Sequence, residues 1–331
     1  MNVIAHDVLL RFGDNPSSYL AMNTGTAQFA EHGGTGFVPH VLAGRHHALA
    51  LFGPIAANAD GKRRLWEDFE RWCAKNDRAI VVLQASQDFG RVLARRGYAV
   101  NQLGAAFSAQ LEDFDLKGKK FKPIRNNIGN ASRAGVTVRE LDHDDYPSVR
   151  DALDDIDARW LRAKRRGTRP LRFMVGDRYQ ARQRARRIFL VEHDRRIIGY
   201  STFVPSPERA GHGYLWDLTR RIPEAPRGTN ELLIRTAAET LRDEGHDWLH
   251  MGLTPFVELR NEWELSTSAH WLRTVAGLVA SRGAWLYPAR NNLRFKLKWH
   301  PQRVVPEYMG FQNGASVTAV LATLRRLGVL P

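Results

Sequence analysis

Residues 228–255 read GTNELLIRTAAETLRDEGHDWLHMGLTP: a glycine, an amphipathic helix, a polar turn, a buried strand and a loop. Residues 61–86, GKRRLWEDFERWCAKNDRAIVVLQAS, repeat that layout. In this earlier stretch Leu65, Trp66, Phe69 and Trp72 recur near the helical period. The run AIVVLQ (79–84) is short and continuously apolar, as a strand covered on both faces requires. Two such units in one chain favour two related α/β lobes over two unrelated domains.

Working outward, the first half carries helices at 2–12, 61–76 and 86–96 and strands at 46–53, 79–84 and 107–114. The polar stretch LKGKKFKPIRNN (116–127) marks a join near residue 116, giving lobes 1–115 and 116–331. The second half reads as helices at 121–134, 144–165, 228–243 and 260–281. Its strands are expected at 135–141, 187–193, 196–204, 213–220 and 248–253, with a last one near 293–298.

The chain has 331 residues, 43% apolar and 25% charged, the proportions of a folded protein. Its net charge of +14 suggests a polyanionic partner: nucleic acid, an anionic membrane or a phosphorylated substrate. One cysteine, Cys73, excludes a disulfide framework and a cysteine metal site. Its helical setting suits a packed, inert thiol. The start MNVIAHDVLLRFGDN lacks the features of a signal peptide, and no apolar run reaches the length of a membrane span. The expected location is therefore the cytoplasm.

Four segments hold residues suited to chemistry. GYLWDLTRRIPEAPRGTN (213–230) offers Trp216, Asp217 and Arg220 on a strand, then Gly228 and Asn230 where a helix begins. Free amides at a helix start favour an anion, although Gly228 also reads as a plain cap and Asp217 with Arg220 as a structural ion pair. MGLTPFVELRNE (251–262) follows a strand and offers Thr254 and Glu258, a candidate carboxylate that also reads as a solvated loop acid. LRFKLKWHPQRVVPEY (293–308) alternates, which puts Arg294, Lys296 and Lys298 on one face of a strand, suited to phosphate or to guarding an exposed edge. The tract 159–187 is dense in arginine, with Arg162, Lys164, Arg165 and Arg166 beside Trp160. That mixture fits a nucleic-acid backbone with stacked bases, or a lipid headgroup surface. GxxxxGK[ST], HExxH and GxSxG are all missing, and adjacent His46 and His47 point to opposite strand faces, so no metal site is expected.

FKPIRNNIGNASRAGVTV (121–138), RWLRAKR (159–165), YLWDLTRRIPEAPRGTNELL (214–233), GLTPFVEL (252–259) and LRFKLKWHP (293–301) together give the chain a family likeness. It resembles the C-terminal catalytic domain of phosphatidylglycerol lysyltransferases. The resemblance implies two tandem acetyltransferase-like (GNAT) lobes, each a mixed sheet flanked by helices. It also implies transfer of an amino acid from aminoacyl-tRNA to a hydroxyl or amine of a lipid or small molecule. Aminoacyl-tRNA is then a co-substrate, with no cofactor and no metal. In the family, positions matching Asp217 to Arg220, Glu258, Lys296 and Lys298 are associated with activity, and Arg125 and Arg133 match basic positions. Trp216, Gly228, Asn230, Thr254 and Arg294 are assigned to substrate, and Arg125, Arg133, Arg162, Lys164, Arg165 and Arg166 to tRNA. The chain departs from the family in two ways. It has no transmembrane portion, and Asn230-Glu231 stands where Met-Asp is usual. A lipid acceptor would bring peripheral contact with the inner membrane face. Two other functions share this fold or charge. One is an acetyl-CoA-dependent N-acetyltransferase, which normally shows more glycine than PEAPRGTNE holds. The other is a non-catalytic tRNA- or membrane-binding module.

Overall fold

The computed structural model describes residues 3–30, 36–163, 173, 175–178, 184–282 and 289–330. The first half runs α1 (Val3–Phe12), β1 (Ala27–Phe29), β2 (Val38–Ala43), β3 (His47–Leu51), α2 (Ala59–Lys75), β4 (Ala79–Ala85), α3 (Gln87–Arg95) and β5 (Ala99–Gln110). The second runs α4 (Lys122–Arg133), β6 (Thr137–Glu140), α5 (Tyr146–Ala163), β7 (Arg187–His193), β8 (Arg196–Pro205), β9 (Gly213–Arg221), α6 (Thr229–Asp243) and β10 (Trp248–Pro255). It closes with α7 (His270–Arg282), α8 (Ala289–Leu297), β11 (Arg303–Phe311) and α9 (Val317–Arg326).

Apolar pattern explains the layers. In β7 the run RIFLVEH buries side chains on both faces. Ile188 and Leu190 pack with Leu153 and Ile156 of α5, while Phe189 and Val191 pack with Leu233 and Ile234 of α6. In the first half, α2 lays Leu65, Trp66, Phe69 and Cys73 against Ile80 and Val82 of β4. Its start is fixed by the Asn58 side chain, which accepts from the Gly61 amide. Cys73 is buried, and burial pushes its thiol up to about 12, so it is inert as expected.

Among the described residues all eleven strands lie in one mixed sheet, in the order β1-β2-β3-β4-β11-β5-β10-β9-β8-β7-β6. Each half contains one parallel pair joined through a helix: β3 and β4 through α2, β9 and β10 through α6. These are the two related units legible in the sequence, and the fold is α/β, one large mixed sheet flanked by helices. The last strands are exchanged. β5 ends the first run yet pairs with β10, and β11 ends the second yet pairs with β4. At this junction Gly104 of β5 is obligatory, because a Cβ there would lie 2.2 Å from the Thr254 carbonyl oxygen.

Three sequence expectations change. Residues 293–297 are helical, the end of α8, with Lys298 in the turn after it, and not a strand. The strand expected at 107–114 is the end of a longer one, β5, which stops at Gln110. The helix expected from 260 begins at His270, after a single 3-10 turn at Asn261–Trp263.

Candidate functional site

The parallel pair β9/β10 holds only from Gly213, Tyr214 and Leu215 to Trp248, Leu249 and His250. Beyond those residues β9 runs on to Arg221 and β10 to Pro255 without pairing to each other. The β10 carbonyls there need donors from elsewhere. Lys296 supplies them: its Nζ donates to the carbonyl oxygens of Gly252 (2.8 Å) and Leu253 (3.1 Å). Its ammonium also stands 5.7 Å from the centre of the Phe107 ring. An ammonium has three donors, and two of them have acceptors among the described residues. Burial pulls Lys296 down to about 7, against a smaller opposing pull from Glu307.

Glu307 of β11 is the residue that sequence reasoning missed. It is 2% exposed and accepts from Asn15 Nδ2 (3.0 Å) and Gln84 Nε2 (3.0 Å). Burial raises its carboxyl to about 7, with the two amides and the Lys296 charge pulling the other way. The available signal was a lone acid inside the apolar run VVPEYMGF. The charges of Lys296 and Glu307 act on each other, and Asn15 and Gln84 tie Glu307 to the first half.

The pair makes a pH prediction. Glu307 has a raised folded pKa, so the stability it lends at low pH is lost as pH rises from 4.5 through about 7. Lys296 has a lowered one, so its contribution is lost as pH falls from 10.5 through about 7. The two slopes meet near neutrality. Relative to a Lys296→Met/Glu307→Gln variant, the wild type is expected to be least favoured near pH 7. It gains on the order of 3 kcal/mol toward acid and 5 kcal/mol toward alkali. Urea unfolding across this range checks it, and a difference independent of pH would sink the assignment.

Asp217 lies apart from Lys296. Adjacent strand residues point to opposite faces: Trp216 packs near Phe295, ring centres 5.5 Å apart, whereas Asp217 turns to Arg186. Asp217 accepts from the Gly176 amide (2.8 Å) and from Arg186 Nη1 (3.0 Å), and Arg186 Nη2 also donates to Asn23 Oδ1 (3.0 Å). Burial raises the Asp217 pKa while Arg186 and the Gly176 amide lower it. Arg220 pairs with Asp157 (3.2 Å) and lies over the Trp160 ring at 4.7 Å. Both residues therefore sit in ion pairs within the protein.

At the start of α6, Gly228 has φ +92°, and a Cβ there would lie 1.8 Å from the Asn127 carbonyl oxygen. This glycine serves the close approach of α4 to α6. Buried Glu231 accepts from Asn127 Nδ2 (2.9 Å) and pairs with Lys298 Nζ (3.4 Å). Asn230 Oδ1 and Thr254 Oγ1 are buried with no hydrogen-bond partner among the described residues. Each such orphan costs about 1–3 kcal/mol, which a ligand's polar groups would relieve. Glu258, just beyond β10, has φ +50°, and Arg260 holds its carboxylate at 2.7 Å.

The three cations expected along a strand are thus dispersed by the helix. Lys296 turns inward, Lys298 reaches Glu231, and Arg294 is exposed. Arg125 donates to the Leu116 and Gly118 carbonyls (2.6 and 2.8 Å), and Arg133 to Asn130. Both are exposed on α4, and Arg162 is exposed near the end of α5. Lys164, Arg165 and Arg166 lie outside the described residues. Much of the remaining arginine tract is paired internally, Arg178 with Asp154 and Asp157, and Arg187 with Glu140 and Glu244. These arginines lock the second half together, and the net surplus of +14 is carried by other cations. Among the described residues no helix is long and apolar enough to cross a membrane.

The lysylphosphatidylglycerol biosynthesis bifunctional protein LysX of Rhodococcus jostii (strain RHA1) is 25% identical over 261 residues, covering 77% of this chain and 22% of that protein. LysX of Nocardia farcinica (strain IFM 10152) is 26% identical over 312 residues, covering 89% of this chain and 27% of that protein. The chain thus spans roughly a quarter of the length of these curated relatives. Among solved structures, the C-terminal domain of a putative lysylphosphatidylglycerol synthetase from Agrobacterium fabrum superposes with TM-score 0.78 at 21% identity, over 99% of this chain and 97% of that one. L-PGS from Bacillus licheniformis gives 0.75 at 17%, over 98% and 96%. Likeness at this identity bears on fold alone. The family model "Phosphatidylglycerol lysyltransferase, C-terminal" matches residues 6–311. With nearly the whole chain inside that match, the protein belongs to the phosphatidylglycerol lysyltransferase C-terminal family.

Proposed function

We propose that the chain is an aminoacyltransferase that moves an amino acid from aminoacyl-tRNA to a hydroxyl of phosphatidylglycerol. The family match over residues 6–311 carries this reading. The ester of a charged tRNA is already activated, so this step needs no further energy source. The acceptor oxygen bonds to the ester carbonyl carbon, and the bond from that carbon to the terminal ribose oxygen breaks. One proton passes from the acceptor hydroxyl to the released ribose hydroxyl. A catalyst must align the two substrates, stabilise the transient oxyanion and conduct that proton. Lys296 suits the last two tasks: as an ammonium it has a third donor beyond its two carbonyl bonds, and its pKa near 7 lets it hold or release a proton near neutral pH. Glu258 is assigned to the ammonium of the carried amino acid, and Asn230 and Thr254 to polar groups of substrate. Arg125, Arg133 and Arg162 are assigned to tRNA phosphates.

The test supplies lysyl-tRNA labelled in the lysine, with detergent-dispersed phosphatidylglycerol. Label is expected in the chloroform-soluble fraction. Label that passes only to water-soluble amines would move the acceptor to a small molecule. Tight acetyl-CoA binding without any transfer would replace the reading with the acetyltransferase one.

A further inference from the structure

Arg220, near the end of β9, is a buried guanidinium with a donor to spare. Its side chain is 10% exposed. A guanidinium carries five N–H donors and no acceptor. Nη1 faces Asp157 Oδ1 at 3.2 Å and the group lies over the Trp160 ring. Nε is buried with no hydrogen-bond partner among the described residues. A buried charged donor without an acceptor is costly. Arg186, by contrast, closes its bonds on Asp217 and Asn23. Arg220 also belongs to the length of β9 that has parted from β10. Its open donor calls for an oxygen from outside the chain.

Asp157, on α5, holds that guanidinium in place. Oδ1, the oxygen that faces Arg220, also accepts from the Tyr200 phenol (2.5 Å), and Oδ2 accepts from Arg178 Nη1 (3.0 Å). Tyr200 is the direct cross-strand partner of Arg220 in the β8/β9 register. Burial and the Asp157 charge raise the Tyr200 pKa, so the phenol keeps its proton and donates. Arg178 is steadied in turn by the Tyr146 phenol, to which its Nε donates (3.0 Å). A carboxylate fixed from two sides fixes the cation beside it. In the proposed transfer the carboxyl of the carried amino acid is an ester. The anions left on the two substrates are phosphodiesters, of the tRNA and of phosphatidylglycerol.

We propose that Asp157 is a positioning residue, which sets Arg220 so that the open edge of the guanidinium takes a phosphodiester oxygen of a substrate. This rests on the transfer reading. Asp157→Asn keeps the shape and an acceptor for Tyr200 but loses the charge that orients Arg220. It is expected to raise KM for one substrate about tenfold or more with kcat little changed, the pattern of lost ground-state binding. A rise for lysyl-tRNA places the phosphodiester on the tRNA; a rise for phosphatidylglycerol places it on the lipid. Arg220→Gln is expected to raise the same KM. Adding Asp157→Asn to it should raise KM no further, because Asp157 acts through Arg220, whereas a carboxylate that only braces the fold would give additive losses. Asp154→Asn, which removes an exposed partner of Arg178, is expected to leave both KM values unchanged. Circular dichroism checks that each variant is folded. If Asp157→Asn does not fold, Tyr200→Phe carries the test, with a smaller rise in the same KM expected. The proposal falls if neither KM rises in the folded variant, if kcat alone falls, or if the double variant is additive. Wild-type KM values in Asp157→Asn with transfer intact would remove this proposal alone; a wild type that transfers nothing would remove the transfer reading with it.

Discussion

Lys296→Met is expected to lower the rate of aminoacyl transfer by about 100- to 1000-fold, the usual effect of removing one donor to a developing oxyanion. The fold should survive. Methionine has a similar reach, and deleting the charge removes a buried ammonium that is costly to desolvate. Against this, the Gly252 and Leu253 carbonyls lose their donor, which costs about 1–3 kcal/mol. A second substitution tells whether the residue moves a proton or only supplies charge. Lys296→Arg keeps the cation, but a guanidinium does not release its proton near neutrality. If arginine restores single-turnover transfer, Lys296 is a fixed cation; if arginine fails as methionine does, titration is part of its work. Wild-type rates in the methionine variant would remove Lys296 from the mechanism.

The largest stability effect is expected at Asp217. Its partner Arg186 has a side chain only 1% exposed. Taking the carboxylate away removes the anion that Arg186 pairs with in the interior, and breaking a buried pair from one side costs about 3–5 kcal/mol. Asp217→Ala should therefore shift the urea midpoint strongly, and Asp217→Leu with Arg186→Met should recover much of the loss. Asn23 and the Gly176 amide, which bond to this pair, tie β9 to the segment after α1 and to residue 176. Lost activity in Asp217→Ala would then report a loosened scaffold unless the protein is shown to be folded. Stability within about 0.5 kcal/mol of wild type would overturn this account.

Much of the architecture was legible because its strands are buried on both faces. RIFLVEH is the clearest case, a strand whose limits, Arg187–His193, match the expectation. Where legibility failed, a physical reason is at hand. LRFKLK alternates as a strand would, yet it folds as the end of α8 and the turn after it, followed by buried Trp299. Short runs satisfy both periods, and packing decides between them. β5 was read too far along the chain because its middle is NQLGAAFSA, and small residues are weak strand formers. They are needed there because β10 and β11 crowd it from both sides. β11 was missed altogether. Pro306 argues against a strand interior, but pairing with β4 begins only at Tyr308, so the proline faces one neighbour and its missing N–H goes unused. Glu307, beside that proline, was lost with it. The segments around Gly228, Glu258 and Lys296 could be picked out in the sequence. Their partners could not, because Asn15 and Gln84 are brought to Glu307 across a distance in sequence that no local pattern records.

The exchanged strands also bear on how the chain acquires its shape. The slot between β4 and β5 is filled by residues 303–311, so the first half cannot complete its sheet while those residues are still being synthesised. Pairings across more than 200 positions also demand large loop closures before they are rewarded, and such topologies fold slowly. Until β11 arrives, β4 presents an open edge, the kind of surface that recruits other chains. During biogenesis this protein is therefore most vulnerable to aggregation just before its last strand docks.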